Sequence, residues 1–123
     1  MTAVTITGNL AYDPEVRFTP TGKQVAQLVV IENRRRPTDE GGWEDAEPNT
    51  FRVEVWGRLV ENIVESCHKG DRLVVIGTIV TDRWEDRESG DTRSAQRVRA
   101  DEVAFSLKFH TVAATKNTPR DTH

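Results

Sequence analysis

A chain of 123 residues provides for one domain, large enough to bury roughly two-thirds of its unfolded surface around a single core. Its formal net charge of -3, from 17 lysines and arginines against 20 aspartates and glutamates, argues against a uniformly basic nucleic-acid binder. The lone cysteine, Cys67, excludes an internal disulfide and a cysteine zinc cluster.

The aliphatic blocks are short, none near the ~20 residues that a membrane span requires. The opening MTAVTITG has neither a basic segment nor a long apolar run, so a soluble, cytoplasmic protein is expected. Residues 2 to 10 alternate around Val4 and Ile6 as a first strand. Asp13-Pro14 and the PTG at 20 to 22 begin turns, which leaves 15 to 19 as a short extended piece. Residues 23 to 34 predict a long second strand with Ala26, Leu28 and Val30 inward. The segment 37 to 49 is rich in Pro, Gly and acid and is expected to be a flexible loop. It carries Asp39, Glu40, Glu44, Asp45 and Glu47 directly after Arg34, Arg35 and Arg36. Charge separated in this way is compatible with a basic groove on a protein of acidic average, or with a solvated loop of mixed charge.

FRVEVWGRLVEN, 51 to 62, is a strand that breaks at Gly57 into a helix. Alternation puts Phe51, Val53 and Val55 on a core face and Arg52, Glu54 and Trp56 on the other. A guanidinium beside an indole offers charge for a phosphate and a flat surface for a base. The alternative is that Trp56 caps the core edge and Arg52 is a solvated neighbour of Glu54. Leu59, Val60, Ile63 and Val64 describe one face of a short helix, with Lys69-Gly70 as a glycine stop. Residues 72 to 83 predict a fourth strand apolar on both faces, Leu73, Val75 and Ile79 on one and Val74, Ile76 and Val80 on the other. With Val29 and Ile31 similarly in excess, a sheet-against-sheet homo-oligomer is expected, the alternative being a terminal segment folded over them. ESGD at 88 to 91 is a turn, 95 to 107 a fifth strand, and the polar end a disordered tail. The expected division is a domain over 1 to 112 and a tail over 113 to 123. Five main strands with one helix between the third and fourth is the order of an all-β OB-fold, a five-stranded Greek-key barrel.

GNLAYDPEVRFTPTGKQVA at 8 to 26, taken with FRVEVWGRLVEN, KGD at 69 to 71, VIG at 75 to 77 and DRWED at 82 to 86, resembles bacterial single-stranded DNA-binding proteins over about residues 2 to 110. The resemblance implies an OB-fold homotetramer that wraps single-stranded DNA without strong sequence preference and protects it in replication, recombination and repair, in the cytoplasm at the nucleoid. It also implies that Trp56 and Trp84 are stacking sites and that Arg52 is a basic contact. Trp43 falls where the family often has GEW, and Phe51 is better taken as core or subunit interface. DEVAFSLKFHTVAATK, 101 to 116, is similar to the extension of actinobacterial members, implying a C-terminal extension strand that clamps subunits. Thr50 and Arg36 stand roughly where some members carry tryptophan, which shifts the expected balance from stacking toward charge. The family's acidic, aromatic-bearing tip is missing from TKNTPRDTH, so tail-mediated recruitment of repair proteins is not expected. A truncated piece and a tail-less second paralogue both fit.

The expected function is therefore a binding module with single-stranded DNA as partner. Arg34, Arg35, Arg36, Arg52, Arg83, Lys23, Arg97 and Arg99 would track phosphates, and Trp56, Trp84 and Trp43 would stack on bases. Val29, Ile31, Phe51, Val74, Ile76 and Val80 would form the subunit interface. An OB-fold adaptor with weakened or lost DNA binding is the alternative. His68, His110 and His123 lack metal-ligand spacing, and the carboxylates lie in loops, so no catalytic residue, metal or cofactor is expected.

Overall fold

The computed structural model describes residues 2–117. Six strands and one helix follow one another as β1 (Thr2–Leu10), β2 (Glu15–Phe18), β3 (Gln24–Pro37), β4 (Trp43–Trp56), α1 (Leu59–Ser66), β5 (Arg72–Glu85) and β6 (Thr92–Phe105). The sheet order β1-β5-β6-β4-β3-β2 is closed by a further β1–β3 pairing, so five strands form a ring and β2 lies outside it on β3. All pairings are antiparallel except β4–β6, which is parallel and brief. This is the expected OB-fold barrel, with its helix between the third and fourth long strands.

Inward side chains alternate as the sequence requires: Ile6 and Leu10 of β1, Ala26, Leu28 and Val30 of β3, Val53 and Val55 of β4, Leu73 and Val75 of β5, and Val98 of β6. Helix α1 plugs this core with Val60 and Ile63, both nearly inaccessible. Eight residues are too few for a helix to stand alone in water, so these two side chains, each contributing about 1.5–3 kcal/mol by burial, hold it in place. Phe51 points inward and packs, half-buried, against the core.

The barrel closes tightly at two glycines. A Cβ on Gly8 would collide with the Ile31 carbonyl, and one on Gly77 with the Arg99 carbonyl. At Gly77 the β5–β6 register also shifts, Ile76 pairing with Glu102 and Gly77 with Ala100, so Asp101 is left over as a bulge that bends β6 around the ring.

Three expectations are corrected. The segment 37 to 49 is largely strand, because the acids of β4 lie opposite the arginines of β3; only 38 to 42 connect the two, with Gly41 at φ 86 making the turn. Pro48, which has no N–H to give a ladder, falls in the irregularity between the Glu32–Asn49 and Arg34–Ala46 pairs. The helix ends at Cys67, whose extended backbone donates its N–H to the Ile63 carbonyl at 2.8 Å, not at Lys69-Gly70. Gly70, at φ 93, instead turns the chain into β5 and donates to the Leu10 carbonyl. The strand beyond the five is β2: residues 101–105 complete β6, and 106–117 have no regular structure. Of the expected tail, 113–117 are described, with Asn117 Oδ1 accepting from Asn62 Nδ2 at 2.9 Å, and 118–123 lie outside the described residues.

Cys67 is buried below the helix end. Burial first, and then the negative charge of Asp71, push its thiol from 9.0 up to about 11. An unfolded chain therefore loses this proton before the folded one, and stability falls as pH rises through the interval from about 9 to about 11. Urea unfolding between pH 8 and pH 11 is expected to show this loss in the wild type and a flatter profile in Cys67→Ala; parallel profiles would contradict the assignment. Non-reducing gels of the folded protein are expected to give one monomer band.

Candidate nucleic-acid interface

Residues 52, 54 and 56 of β4 and 97 and 99 of β6 point away from the core because their neighbours 53, 55 and 98 are the buried ones, and 82 and 84 of β5 share the side of Val80, the cross-strand partner of Arg97. Across the sheet Trp56 lies opposite Val25, which is itself buried. The indole is half-buried, and its Nε1 has no hydrogen-bond partner among the described residues. Trp56 forms the wall of an open groove of about 1380 Å³ between the β2–β3 turn and the start of α1. Phe18, Lys23, Arg58 and Arg99 are among the other residues that line it, with Glu61 as the acid present. Aromatic surface and cations thus converge where the alternation pattern placed only Trp56. Phe18 and Arg58 were not expected: Phe18 precedes the PTG turn, and Arg58 follows the Gly57 break, so each is carried into the groove by a change of chain direction that periodicity does not describe.

A second aromatic lies on the β5–β6 hairpin. Trp84 is 49% exposed and faces the same side as Arg93, its cross-strand neighbour. Asp86 holds the turn beyond it, accepting N–H bonds from Glu88 and Ser89 and pairing with Arg93 at 2.5 Å. These bonds, the backbone ones foremost, hold its carboxyl below the usual range. Arg83 points to the opposite side of β5 from Trp84.

The β3–β4 hairpin carries Trp43, 64% exposed, at the start of β4. Here the charges separated along the sequence are folded back together. Arg36 Nε donates to Glu44 at 2.7 Å, and Arg35 lies 4.0 Å from Asp45. Arg34 lies opposite Ala46 and has no ion pair among the described residues. Lys23, Arg52, Arg83 and Arg99 likewise have no ion-pair partner among the described residues. Arg97 is different, being bound to both Glu54 and Asp82. Thr50 pairs with Ile31 and adds no aromatic surface.

The remaining outward apolar residues group around β1. Val29 and Ile31 of β3 and Val74 and Ile76 of β5 lie on the strands flanking it, and Ile76 is 45% exposed. Val80 is apart from them, opposite Arg97. No group of His, Cys, Asp or Glu suited to a metal ion is present among the described residues, and no helix there is long and apolar enough to cross a membrane.

Residues 1–106 match the model of the single-strand binding protein family. Among similar proteins, a single-stranded DNA-binding protein of Mycolicibacterium smegmatis is 37% identical over 94% of this chain and 70% of its own length. One of Corynebacterium glutamicum is 42% identical over 97% of this chain and 52% of its own. Single-stranded DNA-binding protein 2 of Streptomyces coelicolor is 40% identical over 94% and 58%. This chain thus spans between about half and 70% of the length of these relatives. In fold it is similar to the crystal structure of a small single-stranded DNA-binding protein from Streptomyces coelicolor, with a TM-score of 0.71 and 23% identity over 86% of this chain and 94% of that one.

Proposed function

This chain belongs to the single-strand binding protein family, and from that premise we propose that it binds single-stranded DNA without strong sequence preference and protects it during replication, recombination and repair. The observation that carries the reading is the groove in which Trp56 and Phe18 meet Lys23, Arg58 and Arg99. An indole stacks on any base, and the cations follow the phosphates whatever the sequence. Trp84 and Trp43, with Arg83, Arg34 and Arg52, extend the path over both hairpins. Arg35 and Arg36 join it by exchanging Asp45 and Glu44 for phosphates. The protein acts by binding alone, in the cytoplasm at the nucleoid, as a homotetramer whose subunits meet through the apolar rows of Val29, Ile31, Val74 and Ile76.

Salt tests the electrostatic half of this reading. Each phosphate neutralised on a single strand contributes about 0.7 to the slope of log K against log salt, so Lys23, Arg34, Arg52, Arg83 and Arg99 alone give roughly 3.5 per subunit, and Arg35, Arg36 and Arg58 raise it further. Fluorescence anisotropy of labelled oligo-dT over a series of NaCl concentrations measures the slope. A value near zero would contradict phosphate tracking, and magnesium-dependent loss of the labelled strand would contradict action by binding alone. The rival reading, an OB-fold adaptor with lost DNA binding, is favoured by the pairing of Arg36 with Glu44 and by the absence of an aromatic at Thr50. It requires that alanine at Trp56 and Trp84 leave the activity unchanged.

A further inference from the structure

The parallel seam between β4 and β6 is, with the β1–β3 contact, the thinnest in the ring, each having two residue pairs, here Val53 opposite Val98 and Glu54 opposite Arg99. A charged cluster crosses it on the outer face. Arg97 Nη1 donates to Glu54 Oε1 at 2.5 Å, its Nε to Asp82 Oδ2 at 2.9 Å, and its Nη2 to Asp82 Oδ1 at 3.3 Å. The Arg97 and Glu54 side chains are 22% and 18% exposed, and that of Asp82 46%. A guanidinium held this way cannot turn to a phosphate without stranding Glu54, and an uncompensated, partly buried carboxylate is costly.

We propose that Arg97 is a positioning residue of the nucleic-acid face and not a phosphate ligand. Glu54 is two residues from Trp56 on the same side of β4, and Asp82 is two residues from Trp84 on the same side of β5. Trp84 pairs with Arg93, and Trp56, two residues beyond Glu54 and its partner Arg99 in the parallel seam, lies near the level of residue 101, so the two platforms are about eight residues apart along β6, roughly 26 Å at ~3.3 Å per residue, with Arg97 between them. The forked guanidinium therefore ties together the two strands that carry the aromatic platforms. A strand of DNA that has engaged one tryptophan meets the other at a fixed position, which raises the effective concentration of the second contact. The cluster contributes to affinity only for strands long enough to reach both, and this inference rests on the DNA-binding reading above.

Two variants test it. Arg97→Lys keeps the charge that a phosphate ligand needs but loses the planar fork. The triple variant E54L/D82N/R97M removes the cluster without leaving a lone buried charge, and it decides the matter if Arg97→Lys melts early. Dissociation constants are measured for a long oligo-dT and for a short one that reaches a single tryptophan, each over a range of salt. The expected result is that the advantage of the long strand over the short one falls about five-fold in both variants, while the short-strand affinity and its salt slope stay at wild-type values. Long-strand binding retained by Arg97→Lys, together with a slope lowered by about 0.7 in the triple variant, would make Arg97 a phosphate ligand and overturn the inference. Wild-type behaviour of both variants would overturn it as well. If the wild type binds neither oligonucleotide, it is the DNA-binding reading that has failed.

Discussion

Alanine at both Trp56 and Trp84 is expected to weaken binding of a long oligo-dT by at least about 30-fold, the largest loss of any surface double substitution. Stacking is worth roughly 1–3 kcal/mol per base, so two platforms together supply about 2–6 kcal/mol. The two positions are not equivalent. Trp84 is half exposed on a hairpin, and its removal changes little else. Trp56 lies opposite the buried Val25, so alanine there also loosens the barrel wall. Trp56→Phe separates the two effects, because it keeps an aromatic face and most of the packing while deleting an indole N–H that has no partner among the described residues. Anisotropy titrations of Trp56→Phe, Trp84→Ala and the double alanine variant, each with a melting curve, provide the comparison. Affinity within two-fold of wild type in a folded double variant would contradict stacking and favour the adaptor.

Gly77→Val is expected to cost about 3 kcal/mol or more of folding stability, a fall in Tm on the order of 10 °C for a domain of this size. The residue is buried in β5 where the strand passes against the Arg99 backbone, and the first atom of any side chain meets that carbonyl. The clash falls on backbone atoms held in the sheet, so it cannot be relieved by turning a side chain. Arg99 carries one of the cations of the groove, so the variant should also bind DNA more weakly under conditions where it remains folded. Thermal unfolding followed by circular dichroism gives the answer, and a Tm within 2 °C of wild type would refute the packing argument.

Much of the barrel was legible because it depends on short-range alternation. Residues 26, 28 and 30, then 53 and 55, then 73 and 75 are apolar at every second position and are buried as that spacing requires. The β3–β4 hairpin was not legible. Its Pro, Gly and acid content reads as loop, and only the cross-strand meeting of Arg36 with Glu44 and the irregularity at Pro48 make it a strand pair. The same long-range pairing explains why Arg97 looked like a phosphate contact: its partners, Glu54 and Asp82, are 43 and 15 residues away. Trp56 was singled out by residue type, strand parity and family resemblance, and Trp84 by the resemblance alone. Phe18 and Arg58 join Trp56 through turns whose direction no periodicity encodes.

Intrinsic tryptophan fluorescence is the most direct test of single-stranded DNA binding, since Trp43, Trp56 and Trp84 are the three tryptophans of the chain and all three lie on the proposed path. A long oligo-dT titrated into the protein at low salt should quench this emission to a saturating end point and release it again at high salt, while a DNA duplex of equal length produces little change. Emission unaltered by a molar excess of oligo-dT at low salt would contradict the account.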